Sequence, residues 1–211
     1  ETIVEKCREI GVDAVLSNGS ELTANIASYV ADQLGLECTP YHTVTLLQNK
    51  FRVRELTKNI DGLQTVRSYK YNQEQPEPKF LPCVVKPGEG CGKSGVSFAN
   101  SIQEFHDAIA YSMASSDSTP LVEEYAGGNE VSVECISFQG KHYVIQVTDK
   151  ESSGAPHFVE LGHHQPSCLS THIQDKIRIV ITRILDSVKY VSGASHVELK
   201  VTDDGKIYLI E

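Results

Sequence analysis

The sequence predicts an α/β protein, and two patterns support that prediction. Apolar runs of strand length alternate with longer segments in which apolar residues recur at helical spacing. The most regular helical segment is 172–190, whose apolar residues recur every three or four positions. Near the N-terminus, a strand-like run at 12–16 precedes a predicted helix that ends at Gly35, and a second strand-like run follows at 36–40. Strand, helix and strand in this order predict part of a small parallel α/β domain.

The middle and end of the chain predict further elements of mixed type. The capping box Ser101–Glu104 marks the start of one helix. Two runs of alternating hydrophobicity around Gln139-Gly140 predict a β-hairpin. In chain order we expect a charged helix over 43–60, a polar loop over 67–80, strands over 81–85 and 96–98, a helix from 101, a strand over 121–125, the hairpin strands 131–138 and 142–149, a polar loop over 150–168, the helix 172–190, and final strands over 195–201 and 206–210.

Composition limits the classes of partner. The net charge of −9 over 211 residues argues against nucleic acid or an anionic membrane as the main partner. It leaves a nucleotide possible, because a few local lysines and backbone amides can hold one. Six cysteines show no CxxC pair and no zinc-ligand spacing, so we expect reduced thiols and a cytoplasmic location. No apolar run approaches the length of about 18 residues that a membrane-spanning helix needs.

A glycine-rich segment follows the strand predicted over 81–85. Four glycines lie within the eight residues 88–95, with Lys86 just before them and Lys93 among them. Glycines let backbone N–H groups approach a polyphosphate closely, because no Cβ atom interferes. The segment therefore predicts a phosphate-binding loop, and a flexible hairpin without a ligand is the alternative.

The same segment resembles a P-loop but departs from it in two ways. Three residues, not four, separate Gly88 from Gly92. The residues 95–98 that follow favour a strand, whereas a P-loop opens a helix whose N-terminus holds the phosphates. A glycine-rich β-hairpin that folds over phosphates fits the sequence better.

Two acidic segments complete the pattern. In 122–130, an acidic strand end runs into two glycines and another acid; a strand edge can bind an adenine rim, and a carboxylate can accept hydrogen bonds from ribose hydroxyls. In the final hairpin, Glu198 and Glu211 fall on neighbouring strands, and Glu198 shares a sheet face with Lys200. Carboxylates on one face favour a Mg²⁺ ion shared with phosphate oxygens. A solvated acidic turn and a solvent-facing sheet are the respective alternatives.

In this order and spacing, the segments resemble an ATP-grasp protein over nearly the whole chain. Residues 49–54 resemble the helix that carries the first nucleotide lysine, Lys50, and 83–87 resemble the strand that carries the second, Lys86. The loop 88–95 resembles the mobile phosphate lid of that family. The resemblance implies an α+β ATP-grasp fold in which two lobes grip ATP.

The resemblance also implies a division of the chain into three parts. Residues 1–45 are similar to the later part of the small α/β domain that precedes the ATP-grasp domain. The N-terminal lobe with its lid is then expected over 46–122, and a truncated C-terminal lobe over 123–211.

Site residues are implied position by position. Residues 122–126 resemble the hinge that contacts adenine, through Glu123 and the backbone of Glu124 and Ala126, and Glu130 is expected to hold the ribose. The implied nucleotide-binding set is Lys50, Lys86, Gly90, Gly92, Lys93, Ser94, Gly95, Glu123, Glu124, Tyr125, Ala126 and Glu130.

Metal and catalytic roles follow from the same resemblance. Glu198 and Glu211 match the pair that coordinates magnesium, and the expected catalytic residues are Lys86, Lys200 and His163. For His163 the alternative is an ordinary surface or hydrogen-bonded histidine. The implied cofactors are ATP and Mg²⁺, with Mn²⁺ as a possible substitute.

The implied activity is ATP-dependent ligation of a carboxylate to an amine. The stretches 148–150 and 160–167 are similar to amino-acid ligases that make dipeptides and to carbamoyl-phosphate-synthase-like relatives. The expected partners are small-molecule carboxylate and amine substrates, and a homodimer is one assembly that the resemblance allows. The alternatives are a carbamoyl-phosphate-synthase-like or carboxylase-type enzyme that uses bicarbonate, a non-catalytic ATP-binding module, and a plain structural α/β domain.

The sequence departs from the family at its end. The family pattern continues after the second magnesium glutamate with an asparagine, and often a proline and an arginine, whereas this sequence ends at Glu211. We therefore expect a fragment of a longer protein, which binds nucleotide but lacks part of the catalytic residues.

Overall fold

A computed structural model describes residues 2–18, 20–90 and 92–211. Two positions with sequence predictions lie outside the described residues. They are Gly19, in the predicted turn 17–20, and Cys91, which is expected to be a reduced cysteine. All cysteines that are described are free thiols. Within the described ranges, no helix is both long and apolar enough to cross a membrane.

The N-terminal part is helical. It contains α1 (Thr2–Ile10), α2 (Glu21–Leu34), α3 (Tyr41–Leu47) and α4 (Lys50–Thr57). Helix α2 begins with a capping box between Ser20 and Thr23 and ends at Gly35 in the left-handed conformation, as the sequence predicted for its end. Thr39 ties this part to the rest of the chain, because its Oγ1 donates a hydrogen bond to the Ser192 carbonyl at 2.9 Å.

Three predictions for this part are wrong. Residues 12–16 and 36–40 form no strand, because neither run has a neighbouring strand to pair with among the described residues, and Leu16 is 92% exposed. The predicted helix 43–60 is broken between α3 and α4, since the Asn49 side chain accepts a hydrogen bond from the Arg52 amide and starts a new helix.

A four-stranded sheet, here called the small sheet, follows. Its strands are β2 (Ser68–Lys70), β5 (Pro120–Glu124), β3 (Cys83–Pro87) and β4 (Ser97–Ala99), in that spatial order and antiparallel. Helix α5 (Ile102–Ser115) covers one face, and its fully buried Phe105 packs with Cys83, Val85 and Val122. The predicted glycine loop is the connection between β3 and β4.

A six-stranded sheet, here called the large sheet, forms the second layer. Its spatial order is β1 (Leu63–Gln64), β10 (Ile207–Leu209), β9 (Gly193–Val201), β6 (Asn129–Phe138), β7 (Lys141–Ser152) and β8 (Glu160–His164). Helix α6 (Thr171–Ser187) packs on one face with its predicted apolar stripe, which includes the buried Ile177, Ile181 and Ile184. The opposite face carries the polar residues of β6, β7 and β9.

The predicted β6–β7 hairpin is confirmed, including its turn. Gln139 and Gly140 both have positive φ, at 50° and 75°, as a two-residue hairpin turn requires. The predicted polar loop over 150–168 is wrong at both ends of the β7–β8 connection, because β7 extends to Ser152 and β8 begins at Glu160. Strand β2 likewise lies inside the predicted loop 67–80. Strands β2 and β8 are largely polar and lie at sheet edges, so their composition resembles that of a loop.

A short connection at 125–128 joins the two sheets through β5 and β6. Gly128 has a φ of +109°, and a Cβ atom there would clash with the backbone carbonyl group of Val201. Gly127 has no such constraint, because a Cβ atom at that position would meet nothing nearer than the Tyr125 ring at 4.0 Å. The path of the chain from the small sheet to the large sheet therefore requires a glycine at position 128 but not at position 127.

We predict that Gly128→Ala lowers the free energy of unfolding by about 2 kcal/mol or more, because it adds a backbone clash to an unfavourable φ. Gly127→Ala is the matched control and is expected to remain within about 0.5 kcal/mol of the original protein. Denaturant unfolding measures both. Equal stability of the two variants would contradict the proposed constraint.

Candidate functional site

A cavity lies between the small and the large sheets. It encloses about 1050 Å³ of empty space, including space open to solvent. Lys86 from the small sheet and Glu198 from the large sheet both line it. The two acidic segments and the glycine-loop residues Gly90, Lys93 and Ser94 meet there as well. Gly92 and Gly95 belong to the same loop but do not line this cavity.

One part of the cavity is apolar. Val66, Val84 and Val96 contribute aliphatic side chains, and Tyr125 and Phe158 contribute aromatic rings. Glu124 and Ala126, on either side of Tyr125, also line the wall. An apolar wall next to a strand end can hold a flat heterocycle and bind its edge with backbone groups.

A buried ion-pair cluster borders the cavity. The Lys86 Nζ atom lies 2.6 Å from Glu123 Oε2, and Arg54 forms a two-pronged contact with the same carboxylate. Both cations also donate hydrogen bonds to the Ile210 carbonyl, at 3.1 Å from Lys86 and 2.9 Å from Arg54. Burial alone would raise the pKa of the Glu123 carboxyl, but Arg54 and Lys86 outweigh that effect and hold the pKa at about 2. In this structure the Glu123 carboxylate is therefore paired with two cations.

Lys50 links the glycine loop to the end of the chain. Its amide donates to the Gly88 carbonyl at 3.0 Å, and its Nζ atom donates to the Gly90 carbonyl. The same Nζ atom lies 2.7 Å from Glu211 Oε1. The neighbouring Asn49 side chain donates to Glu89 at 2.8 Å. The break between α3 and α4 thus places Lys50 directly under the loop.

Strand register creates a row of alternating charges, formed by Lys200, Glu130 and Lys150, across three strands of the large sheet. Glu130 on β6 is paired with Lys150 on β7 and with Lys200 on β9, and Lys150 is in turn paired with His163 on β8. Glu130 is buried, and its Oε2 lies 3.3 Å from Lys200 Nζ. From the glycine loop, Lys93 approaches the same carboxylate, with 2.8 Å between its Nζ and Glu130 Oε1.

Lys150 is a site residue that the sequence patterns did not single out. Its Nζ atom lies 2.6 Å from Glu160 Oε1 and forms a shorter contact with Glu198 Oε1. Burial alone would lower the pKa of Lys150, but its hydrogen bonds to Glu160 and Glu198 raise the pKa to about 12. One sequence signal could have identified it. Lys150 follows Thr148 at the two-residue spacing of a strand, and β7 does continue past its predicted end at 149.

Carboxylates around Lys150 could also hold a cation. Oxygen atoms of Glu130, Glu160 and Glu198 lie within 4.8 Å of one another, and oxygen donors of this kind suit Mg²⁺. Burial would raise the pKa of Glu198, but hydrogen bonds from His196 and Lys150 hold it at about 2, so the carboxylate is ionised as a metal ligand must be.

The predicted metal pair, Glu198 and Glu211, is adjacent in space. The Glu198 amide donates to the Glu211 carbonyl at 2.8 Å, and both residues line the cavity. The Glu211 carboxylate is paired with Lys50 and is not among the three-carboxylate group.

The predicted catalytic residues are placed differently from one another. Lys86 and Lys200 line the cavity, whereas His163 does not. His163 is half exposed, and its Nε2 atom lies 3.6 Å from Glu160 Oε2. His163 therefore contacts the charged row at its edge and stays a prediction as a catalytic group.

Comparison with known proteins identifies the family. The profile of the ATP-grasp domain family matches residues 79–211, well over half of the chain. A curated relative, the D-alanine–D-alanine ligase of Phocaeicola vulgatus, is 24% identical over 197 residues, which cover 85% of this chain and 59% of the relative. The chain thus spans little more than half the length of that enzyme.

Solved structures show the same fold. The L-amino acid ligase from Bacillus licheniformis superposes with a TM-score of 0.83 at 24% identity, over 100% of this chain and 51% of that one. The biotin carboxylase domain of Hydrogenobacter thermophilus 2-oxoglutarate carboxylase, solved with MgADP and bicarbonate, superposes with a TM-score of 0.79 at 18% identity, over 100% and 49% of the two chains. The likeness confirms the predicted α/β class and two-lobed architecture. Together with the match of the family profile, it establishes that this chain belongs to the ATP-grasp domain family.

Proposed function

We propose that this chain is the ATP-binding core of a ligase that activates a carboxylate as an acyl phosphate for attack by an amine. The observation that supports this most strongly is that Lys86 and Glu198, from different sheets, line the same cavity. A lysine on one side and an ionised carboxylate on the other suit a triphosphate with its metal ion.

The cavity suggests how ATP would lie. The apolar part, with Tyr125 at the hinge, would receive adenine, and the backbone of Glu124 and Ala126 would bind the edge of the base. The phosphates would then lie under the glycine loop, near Lys86 and Lys93. The lobe boundary proposed at 122/123 falls inside β5, just before the connection at 125–128.

Nucleotide binding would exchange ion partners rather than create new charges. Lys93 is paired with Glu130 and Lys50 with Glu211 in this structure. When the phosphates pair with Lys93 and Lys50, the Glu130 carboxylate loses its contact with Lys93 and can accept hydrogen bonds from the ribose hydroxyls. Glu198 and Glu211 would hold Mg²⁺, or Mn²⁺ in its place, and the ion would neutralise phosphate charge.

The proposed chemistry has two steps. The γ-phosphoryl group moves from ATP to a carboxylate oxygen of the substrate and ADP is the leaving group, a step that depends mainly on positioning and electrostatics. The amine nitrogen then attacks the acyl carbon, phosphate leaves, and an amide bond forms. Lys86 and Lys200 would stabilise the charge that develops, and the glycine loop would exclude water from the acyl phosphate.

A bicarbonate-using enzyme is the second candidate. The structural neighbour with MgADP and bicarbonate has the same fold as this chain. The curated relatives are D-alanine–D-alanine ligases, which favours amino-acid substrates. We therefore place the carboxylate–amine ligase first.

We predict that Lys86→Met weakens Mg-ATP binding at least about tenfold, because it removes a charged donor from a buried site. Lys141→Met, at the exposed hairpin turn, is the matched control and is expected to leave the affinity unchanged. Isothermal titration calorimetry measures the affinity of both variants for Mg-ATP, and thermal unfolding shows whether the variants are folded. Unchanged affinity in a folded Lys86→Met protein would refute the assignment.

Glu198→Gln is expected to reduce binding of ATP in the presence of magnesium more than in its absence, because it removes a carboxylate ligand. Titrations with ATP in magnesium and in EDTA give the ratio. Glu151→Gln, an exposed acid on β7, serves as the control. A loss of the same size under both conditions would indicate a structural role for Glu198.

The activity is tested on the whole protein, because the match covers 59% of the length of the curated relative. We predict ADP release that depends on a carboxylate and an amine together, measured in a coupled assay over amino acids and small acids. ADP release that depends on bicarbonate would favour the second candidate. ATP binding without ADP release under any pair would instead indicate a nucleotide-binding module.

A further inference from the structure

Three carboxylates of the large sheet converge on one lysine and are here called the carboxylate group. Oxygen atoms of Glu130, Glu160 and Glu198 lie within 4.8 Å of one another, so a single cation can contact all three. The Lys150 Nζ atom lies 2.6 Å from Glu160 Oε1 and 3.6 Å from Glu130 Oε1, and it makes a shorter contact with Glu198 Oε1. The Lys150 side chain is only 1% exposed, so carboxylates rather than water surround its ammonium. The carboxylate group therefore already has a cation at its centre.

Two further lysines complete the charge balance of the carboxylate group. The Lys93 Nζ atom lies 2.8 Å from Glu130 Oε1 and 3.1 Å from Glu160 Oε1, and the Lys200 Nζ atom lies 3.3 Å from Glu130 Oε2. Together with Lys150, the lysines equal the carboxylates in number. The affinity of an oxygen-ligand site for a divalent ion depends on how many charged ligands are left uncompensated. The balanced carboxylate group therefore offers little attraction to a free divalent ion.

We propose that Lys150 is a built-in counter-ion that keeps divalent metal out of the carboxylate group until a nucleotide is bound. This proposal rests on the nucleotide site proposed above. When phosphates withdraw Lys93 from Glu130 and Glu160, the carboxylates outnumber the lysines, and the phosphates bring oxygen ligands of their own. Both changes favour a divalent ion. Metal and nucleotide then raise each other's affinity by the same factor, because coupling between two binding sites is reciprocal.

Removal of the Lys150 charge should let the carboxylate group bind metal without a nucleotide. Lys150→Met keeps an unbranched side chain but removes the ammonium, so three carboxylates remain with two lysines. Binding of Mn²⁺ alone to the whole protein, followed by the electron paramagnetic resonance of the unbound ion, is expected to tighten about tenfold or more relative to the original protein. Lys141→Met, at the exposed hairpin turn, is the matched control and should leave Mn²⁺ binding unchanged.

A second variant shows whether the new Mn²⁺ site is the carboxylate group. Glu160 belongs to this group but not to the predicted metal pair Glu198 and Glu211. Lys150→Met/Glu160→Gln removes one charge of each sign, so it is expected to return the Mn²⁺ affinity to that of the original protein. Thermal unfolding provides a second readout. Mn²⁺ should raise the melting temperature of Lys150→Met at concentrations that leave the original protein unchanged.

Several results would overturn the proposal. One is an original protein that binds Mn²⁺ alone as tightly as Lys150→Met does. Another is a gain that persists in the double variant, since the metal would then lie elsewhere. A third is a Lys150→Met protein that Mn²⁺ neither binds nor stabilises, whether or not that variant is folded without metal. If the original protein binds Mg-ATP while one of these results is found, the nucleotide site stands and only the role of Lys150 is refuted. If the original protein does not bind Mg-ATP, the nucleotide site itself fails.

Discussion

The constraint on which the structure depends is the pairing of buried carboxylates with buried cations. Glu123, Glu130 and Glu198 are each nearly or fully buried, and an unpaired charge at such depth would be strongly destabilising. Arg54 and Lys86 neutralise Glu123, while Lys93, Lys150 and Lys200 surround the other two. One of these pairs, Lys93–Glu130, joins the glycine loop of the small sheet to the large sheet, and both of its members line the cavity.

Much of this arrangement could be predicted from local patterns. The hairpin of β6 and β7, helix α6 and the loop between β3 and β4 each depend on periodicity or on glycine spacing, which sequence reports directly. The convergence of Lys86 with Glu198 was also predictable, although only from several segments considered together. Each segment alone would have fitted a solvated turn or a surface strand.

Other features depend on tertiary partners and so were missed. Arg54 looked like one more charge on a polar helix, and its role appears only when Glu123 is placed opposite it. Lys150 acquires its role from the register that sets it beside Glu130. Residues 12–16 show the reverse error, since an apolar run without a neighbouring strand has no ladder to join. Whether a segment pairs is decided by the rest of the fold, which propensity does not encode.

The row of charges across β9, β6 and β7 has a broader meaning. Its spacing is fixed by backbone hydrogen bonds that do not involve any of the side chains concerned. Individual positions in the row can therefore change their chemistry while the geometry stays the same. Single substitutions in such a sheet can change which ligand it prefers without changing the backbone spacing. This is a physical reason why one fold can support reactions with different carboxylate substrates and different acceptor molecules.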